Sequence, residues 1–503
     1  MLKTWVERAC VVALLAYLAW LPMPFASIVD AAQPALIVPP FLICAIAALL
    51  RSRAEGVARP TAPYRIWTAG AIAFALLVSF QLVELPDGLL RSLSPESFAV
   101  WSRAANVAAL MQDTTPADAH PITVNPSATW LHLFRFLACF ATFQAAALLI
   151  RSHTRRVSFA AVLGATAVFE VLYGVREAAL RRYAIWGWKN SKIYDRVTGT
   201  YVNPNHFAHY AAIVVPLAVF LAALAWREAA GPDTPWRRRI VRLLERKFIL
   251  FSAGTGIAIA CVVGILVAQS RGALLSLAVG GLAAGALSLR PKRHRRHSHA
   301  FALAKLALGV SAALLLIAGL IAFLGTERTV ARFKPLPSEQ TNLVGRRSEI
   351  GAAIAIWRRF PILGSGFGTF VDVVPRVQSA DLDVIYNHAH DDYAEVAATT
   401  GIVGFTIAIV SIVAGFIALV RLSADRGARW RRRAFVVAGL TSIVIALVHA
   451  LIDFNFYIPA NAATLAAIAG AAVATRSARG AEIDFESSDL RVAIPRDVSL
   501  SES

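Results

Sequence analysis

Cysteine is nearly missing from this chain: four in 503 residues, Cys10, Cys44, Cys139 and Cys261. All four fall within apolar runs and no two have zinc-ligand or redox spacing, so they read as small apolar side chains of a core. Charge is also scarce, 16% of residues, and acids are outnumbered, 31 against 50 Lys and Arg. In a soluble chain a formal charge of +19 would point to nucleic acid. Here the basic residues come in short clusters between apolar runs, where membrane orientation demands them, which excludes that reading. No internal repeat is evident. What is abundant is apolar residue, 57% of the chain, with a mean hydropathy of +0.59. Runs near the ~20 residues that cross a hydrocarbon core recur throughout. The fold class is all-α, a polytopic integral membrane protein.

Apolar windows predict twelve membrane helices, at 9–29, 35–50, 66–85, 130–150, 157–175, 207–226, 248–268, 272–289, 300–324, 393–420, 434–452 and 458–475. The first is too long for a cleaved signal segment and reads as a retained helix. In the second, Pro39-Pro40 is expected to break the helix near its start. Basic segments such as "RSRAEGVARPTAPYR", "RPKRHRRHSH" and "RLSADRGARWRRR" emerge on one side together with both termini, and that side reads as the cytoplasm. The histidines of "KRHRRHSH" read as basic anchoring, not a metal site. The membrane domain covers 1–475 and the polar tail 476–503 is expected to be disordered. The opposite side carries loops at about 86–129, 176–206 and 325–392, and loops of that length usually carry function. Within the first, "LLRSLSPESFAVWSRAANVAAL" has near-helical apolar spacing, suited to a helix on the membrane surface or one packed on the other loops.

The polar residues that resist a bland reading gather on the loop-rich side. Arg271 is the only charge between Phe248 and Leu289. A mid-bilayer arginine costs about 2.5–3.5 kcal/mol, but the helix count puts Arg271 at a hairpin, where it can snorkel. It is either a wetted turn residue or a ligand for an anion. "TGTYVNPNHFAHY" places Tyr201, Asn203, Asn205 and His206 at a helix N-terminus, which suits either capping or an anion. "NLVGRRSEI" brings Arg346 and Arg347 into the large loop. Gly364, Gly366 and Gly368 lack the strand and lysine of a phosphate loop and read as a tight turn against the bilayer. "YNHAHDDYAEVAATTGIVG" sets His388, His390, Asp391, Asp392 and Glu395 at the start of the tenth helix, for capping, proton transfer or, less simply, metal binding. Asp453, Asn455 and Asn461, on the last outward hairpin, suit a supporting role or plain hairpin chemistry.

Arginine pairs bidentately with phosphate oxygens and stays charged at any working pH. A histidine beside it can take a proton from a hydroxyl while the arginines stabilise a departing pyrophosphate. Those parts suit group transfer from a lipid-linked diphosphate, with no nucleotide and no metal.

The stretches "GTYVNPNHFAHY", "SRGALLSLAVG", "GRRSEIGAAIAIWRRFPILGSGFGTF" and "YNHAHDDYAEVAATTGIVG", in that order, resemble the O-antigen ligase and polymerase superfamily of bacterial envelopes. "ITVNPSATWLHLF" (122–134) is similar to that family's approach to its fourth helix, and the likeness runs from about 120 to 470. The resemblance implies a C-type glycosyltransferase of the bacterial inner membrane that moves glycan from undecaprenyl pyrophosphate at the periplasmic face. It implies His390 as general base, with His388 as an alternative or partner, and Arg271 and Arg346 as pyrophosphate ligands. Tyr201, Asn205, Arg347, Asp391 and Asp392 are expected to support them, and Asp391 stands where relatives carry asparagine. No cofactor is implied. Polymerisation of O-antigen or exopolysaccharide repeats is the preferred branch, ahead of ligation to lipid A-core and of protein O-glycosylation. Expected partners are the lipid-linked donor, a glycan or lipid A-core acceptor, membrane lipid and a chain-length regulator. A lipid-linked glycan flippase is the non-enzyme alternative, disfavoured because the charged candidates sit at one face and not at the midplane.

Overall fold

The computed structural model describes residues 2–52, 60–111, 118–189, 196–231, 234–288, 337–378, 385–424 and 430–474, with only the backbone between 337 and 347. The expected helix at 300–324, the "KRHRRHSH" run and the tail after Arg476 lie outside them. The chain is helical, with α1 (Leu2–Trp20), α2 (Gln33–Ser52), α3 (Ala62–Gln81), α4 (Asp87–Leu93), α5 (Pro95–Leu110), α6 (Pro126–Leu149), α7 (His153–Ala179) and α8 (Pro204–Glu228). There follow α9 (Trp236–Arg246), α10 (Phe248–Val267), α11 (Arg271–Ser288), α12 (Pro337–Arg359), α13 (Phe370–Val373), α14 (Asp392–Ser423), α15 (Trp430–His449) and α16 (Pro459–Val473). Two short antiparallel ribbons, Glu84–Pro86 with Ala119–Pro121 and Ala184–Ile185 with Trp188–Lys189, tie loop ends together.

Nine helices among the described residues are long and apolar enough to cross a bilayer. The expected first span differs: α1 stops at Trp20, and the apolar residues beyond it form a turn through Pro22 and Pro24 with Phe25, Ala26 and Ser27 in left-handed backbone. Helix α2 departs from expectation too. It starts at Gln33 and runs through Pro39 and Pro40 without interruption, since neighbouring helices can satisfy the backbone groups a proline frees. The last helix, α16, has 15 residues, short for a full crossing.

The bundle's core surrounds α8, which is buried on all sides along most of its length. One end is basic and clamped by charge: Glu228 meets Arg431 at 2.7 Å, Lys247 at 3.2 Å and His153 at 3.6 Å. Helix α9 lies at that end with Leu243 buried and Trp236, Val241 and Leu244 exposed. The other end gathers the long connections. Trp186 Nε1 donates to the Met23 carbonyl at 2.7 Å, Thr200 Oγ1 to the Pro22 carbonyl at 2.7 Å, and Asn125 Nδ2 to Asp372 at 3.0 Å. The expected 86–129 loop folds into α4 and α5, packed through Leu85, Leu90 and Ile122, and the expected 325–392 loop contains α12 and α13.

Helix α14 is broken near its front by Gly401, at φ 65°. The amides freed there are not orphaned. Ile402 N–H donates to the Pro361 carbonyl at 2.9 Å and Val403 N–H to the Ile362 carbonyl at 3.2 Å. The Gly364, Gly366 and Gly368 segment is the tight turn expected, all three at positive φ, but it lies against other protein: a Cβ on them would strike Thr399 backbone, Thr123 and His132 respectively. Gln81, wholly buried, locks turn to helix by donating to the Leu363 carbonyl at 2.6 Å and the Thr399 carbonyl at 3.0 Å, and accepting from Phe367 N–H at 3.0 Å.

Candidate active site

The front segment of α14, residues 392–400, and the turn after α15 meet at the loop-rich end. Asp391 is the N-cap of α14, its carboxylate accepting from the amides of Tyr393 and Ala394, both at 2.9 Å. Burial pushes this carboxyl up, against the pull of those two amides. An asparagine at this position would cap the helix equally well. Asp392, buried, accepts from Phe456 N–H at 3.1 Å and donates its own amide to the Ala450 carbonyl at 3.0 Å, which pins the 450–458 turn to the helix start.

That pinning creates two histidine–carboxylate pairs. His390, in left-handed backbone at φ 50°, has Nδ1 at 3.1 Å from Asp453 Oδ1. A non-glycine residue held there is strained, as functional positions often are. Asp453 is 1% exposed, takes Phe454 N–H at 3.0 Å, and stands 3.5 Å from His206 Nε2. Burial alone would push Asp453 up, but hydrogen bonding and charge from His206 and His390 outweigh it and hold the carboxyl well below its ordinary range. An ionised Asp453 can only accept, so His390 carries a proton on Nδ1, and a proton taken up in transfer goes to Nε2. That Nε2 lies 3.9 Å from Glu349 Oε2 on α12, and His390 stays a quarter exposed.

His388 makes the second pair, Nδ1 at 2.9 Å from Glu395 Oε1, while Glu395 Oε2 accepts from Ala389 N–H at 2.9 Å. Its ring stacks on Phe454 at 4.1 Å between centroids and approaches Tyr457 at 5.2 Å. His390 meets the same Phe454 edge-on at 4.8 Å. One phenyl ring therefore spaces both imidazoles.

The remaining expected residues take various places. Arg271 opens α11, exposed at the hairpin anticipated for it. The next residue, Gly272, packs so tightly on α15 that a Cβ would lie 2.7 Å from His449 Nε2, which fixes the hairpin to the helix leading into Asp453. Arg346 and Arg347 lie on helix α12 and not in a loop. Their side chains are outside the described residues, and Arg346 stands one helical turn before Glu349. Asn203 caps α8 by accepting from Asn205 N–H at 2.8 Å, and Asn205 is half-buried beside it. Tyr201 is wholly buried and donates to Asn461 Oδ1 at 3.2 Å, and Asn461 Nδ2 donates to the His206 carbonyl at 3.1 Å. It touches the site only through that chain.

Glu349, which faces His390, and the buried pair of His209 and His449, Nδ1 to Nδ1 at 3.0 Å, were not singled out in the sequence. A glutamate one turn after Arg346 is too ordinary a helical pattern to stand out. Among the described residues no three His, Cys, Asp or Glu side chains group as a metal site.

Two carboxylate-paired imidazoles at the loop-rich end of an apolar helical bundle make this cluster the candidate active site. Residues 256–409, spanning α10 through the front half of α14, match the family model described as O-antigen ligase. That match, over about a third of the chain, makes the segment similar to the O-antigen ligase family and supports a glycan-transfer role in O-antigen or polysaccharide biosynthesis. No curated protein matches the chain.

Proposed function

We propose that this protein is a glycosyltransferase of the bacterial inner membrane that polymerises O-antigen or exopolysaccharide repeats carried on undecaprenyl pyrophosphate. Both termini lie in the cytoplasm and the site faces the periplasm. The observation that carries the reading is His390: Asp453 orients it through Nδ1, and its Nε2 stands 3.9 Å from Glu349 on the helix that bears Arg346. An acceptor hydroxyl gives its proton to His390 Nε2 as its oxygen bonds to the anomeric carbon. The bond from that carbon to pyrophosphate breaks, and the leaving oxygens are stabilised by Arg271 and Arg346. His388, locked to Glu395 and stacked on Phe454, is a positioning residue. Two arginines supply the charge that a divalent ion otherwise would, so transfer survives chelation by EDTA.

The test is the glycan profile of a deletion strain complemented with wild type or His390→Ala. Wild type restores long chains, and His390→Ala leaves single repeats on the lipid with transfer down about 10²–10⁴-fold at unchanged protein abundance. Unchanged chains with His390→Ala overturn the assignment. The description of the matched family favours a second reading, ligation to lipid A-core; long lipid-linked chains that never reach lipopolysaccharide would select it.

A further inference from the structure

Helix α6 carries a charge within a span, Arg135, in the run "WLHLFRFLACF". Such a residue is costly unless it has a task or a partner. Its Nε donates to Gln33 Oε1 at 2.8 Å, and Gln33 is held by the Ser27 and Val29 carbonyls at 3.1 and 3.0 Å. Its two terminal amino groups make no hydrogen bond and no ion pair with any described residue; the nearest acid, Asp30, is exposed on the adjoining turn. Helical side chains lean toward the N-terminus, and for α6 that is the loop-rich end, so the guanidinium rises toward the site.

Arg135 lines a partly open cavity of about 400 Å³ between α3, α6, α14, α15 and α16. Along α6 the lining runs from His132 to Phe143, eleven residues or roughly 16 Å of helix rise. Apart from Arg135, His132, Ser411, Cys139 and the Tyr457 hydroxyl the walls are mainly hydrocarbon and aromatic, including Phe74, Phe136 and Phe140. At the loop-rich end Tyr457 and His132 lie 5.9 Å apart, and Tyr457 reaches His388 at 5.2 Å. The cavity thus leads to the histidine pair, while the Arg271 hairpin docks elsewhere, on the end of α15.

We infer that this cavity binds an anionic lipid, its hydrocarbon chain in the slot and its phosphate on Arg135, as the lipid-borne acceptor of the transfer. The inference rests on the glycan-transfer reading: transfer needs two substrates at one histidine, and the cavity and the Arg271 hairpin are separate places to anchor them. Charge complementarity selects the occupant, because a long apolar slot with one cation and no acid in its walls matches a phospholipid-like molecule and not a neutral one.

The test is photolabelling of the full-length protein in detergent with phosphatidic acid carrying a diazirine in its acyl chain, and with a diacylglycerol bearing the same chain. Wild type should be labelled by the acid at Phe136, Phe140 or Ile412 and much less by the neutral probe. Arg135→Gln should lower labelling by the acid about tenfold or more, the loss expected for a charged hydrogen bond, while Arg135→Lys retains most of it and guards against misfolding. Arg271→Ala and His390→Ala should leave it unchanged. Equal labelling by both probes, indifference to Arg135→Gln, or loss with Arg271→Ala would overturn the site. Labelling needs no turnover, so the two readings fail separately: normal labelling of a wild-type protein that restores no glycan chains to the deletion strain would leave a lipid site and reject its acceptor role.

Discussion

At the residue scale, the difference between Asp391 and Asp453 decides the chemistry. Asp391 spends its oxygens on helix amides, so Asp391→Asn should leave transfer within about twofold, and Asp391→Ala should cost about 1 kcal/mol of stability, read as a lower melting temperature. Asp453→Asn removes the acceptor that sets the His390 tautomer, and loss approaching 10⁴-fold is expected by analogy with the buried aspartate of the serine-protease triad. Asp453 is a carboxyl whose folded value is depressed. Its contribution to stability is therefore complete above the ordinary carboxylate range and is lost only as pH falls through the lower folded value. A melting-temperature series from pH 7 downward should stay flat to about pH 4 as far as this group is concerned. At this scale the sequence was informative about residue types: His388, His390, Arg271 and Asp453 all stood out as polar groups at apolar boundaries. It could not pair them, because Asp453 lies 63 positions from His390 and a pairing across two helices leaves no local pattern.

At the scale of elements, the glycine turn at 361–368 and the front of α14 form one unit stitched by Gln81. Gln81→Leu removes three hydrogen bonds and leaves the Leu363 carbonyl and the Phe367 amide without them, while Thr399 keeps Gly366 N–H, with about 1–3 kcal/mol at stake for each group left buried. Reduced melting temperature together with lost transfer is expected. Gly272→Ala should separate α11 from α15 at His449 and displace the Arg271 hairpin, lowering transfer at unchanged abundance; unaltered transfer would mean that Arg271 does not depend on this contact. Helix positions were legible because apolar period and length are local properties. The break at Gly401 was not, since it depends on carbonyls of Pro361 and Ile362 arriving from elsewhere. Proline misled at α2 for the same reason: its cost is set by neighbours that a sequence window does not contain.

Across the whole molecule, the two ends are chemically opposite. Glu228 gathers Arg431, Lys247 and His153 at the basic end, whereas the other end buries paired carboxylates and imidazoles. If orientation follows the basic clusters, a cysteine placed at Gly88, where nothing lies within 4 Å, should react in intact cells with a membrane-impermeant maleimide, and one at Arg237 on α9 should react only after permeabilisation. The reverse pattern would put the site on the cytoplasmic side. The helical, membrane-spanning class was legible in composition alone, but not the cavity beside α6, whose walls come from five helices.

The break at Gly401 also divides the kinetics of the fold. Residues 392–400 are latched by Gln81, the 361–366 turn and Asp392, while the span beyond 404 hydrogen-bonds within itself. The segment that directly follows the histidines can therefore open as a small unit without unravelling the membrane helix behind it. Amide hydrogen exchange should register this as one shared opening rate for 361–367 and 392–400, accelerated together by Gln81→Leu, with protection from 405 to 420 left untouched.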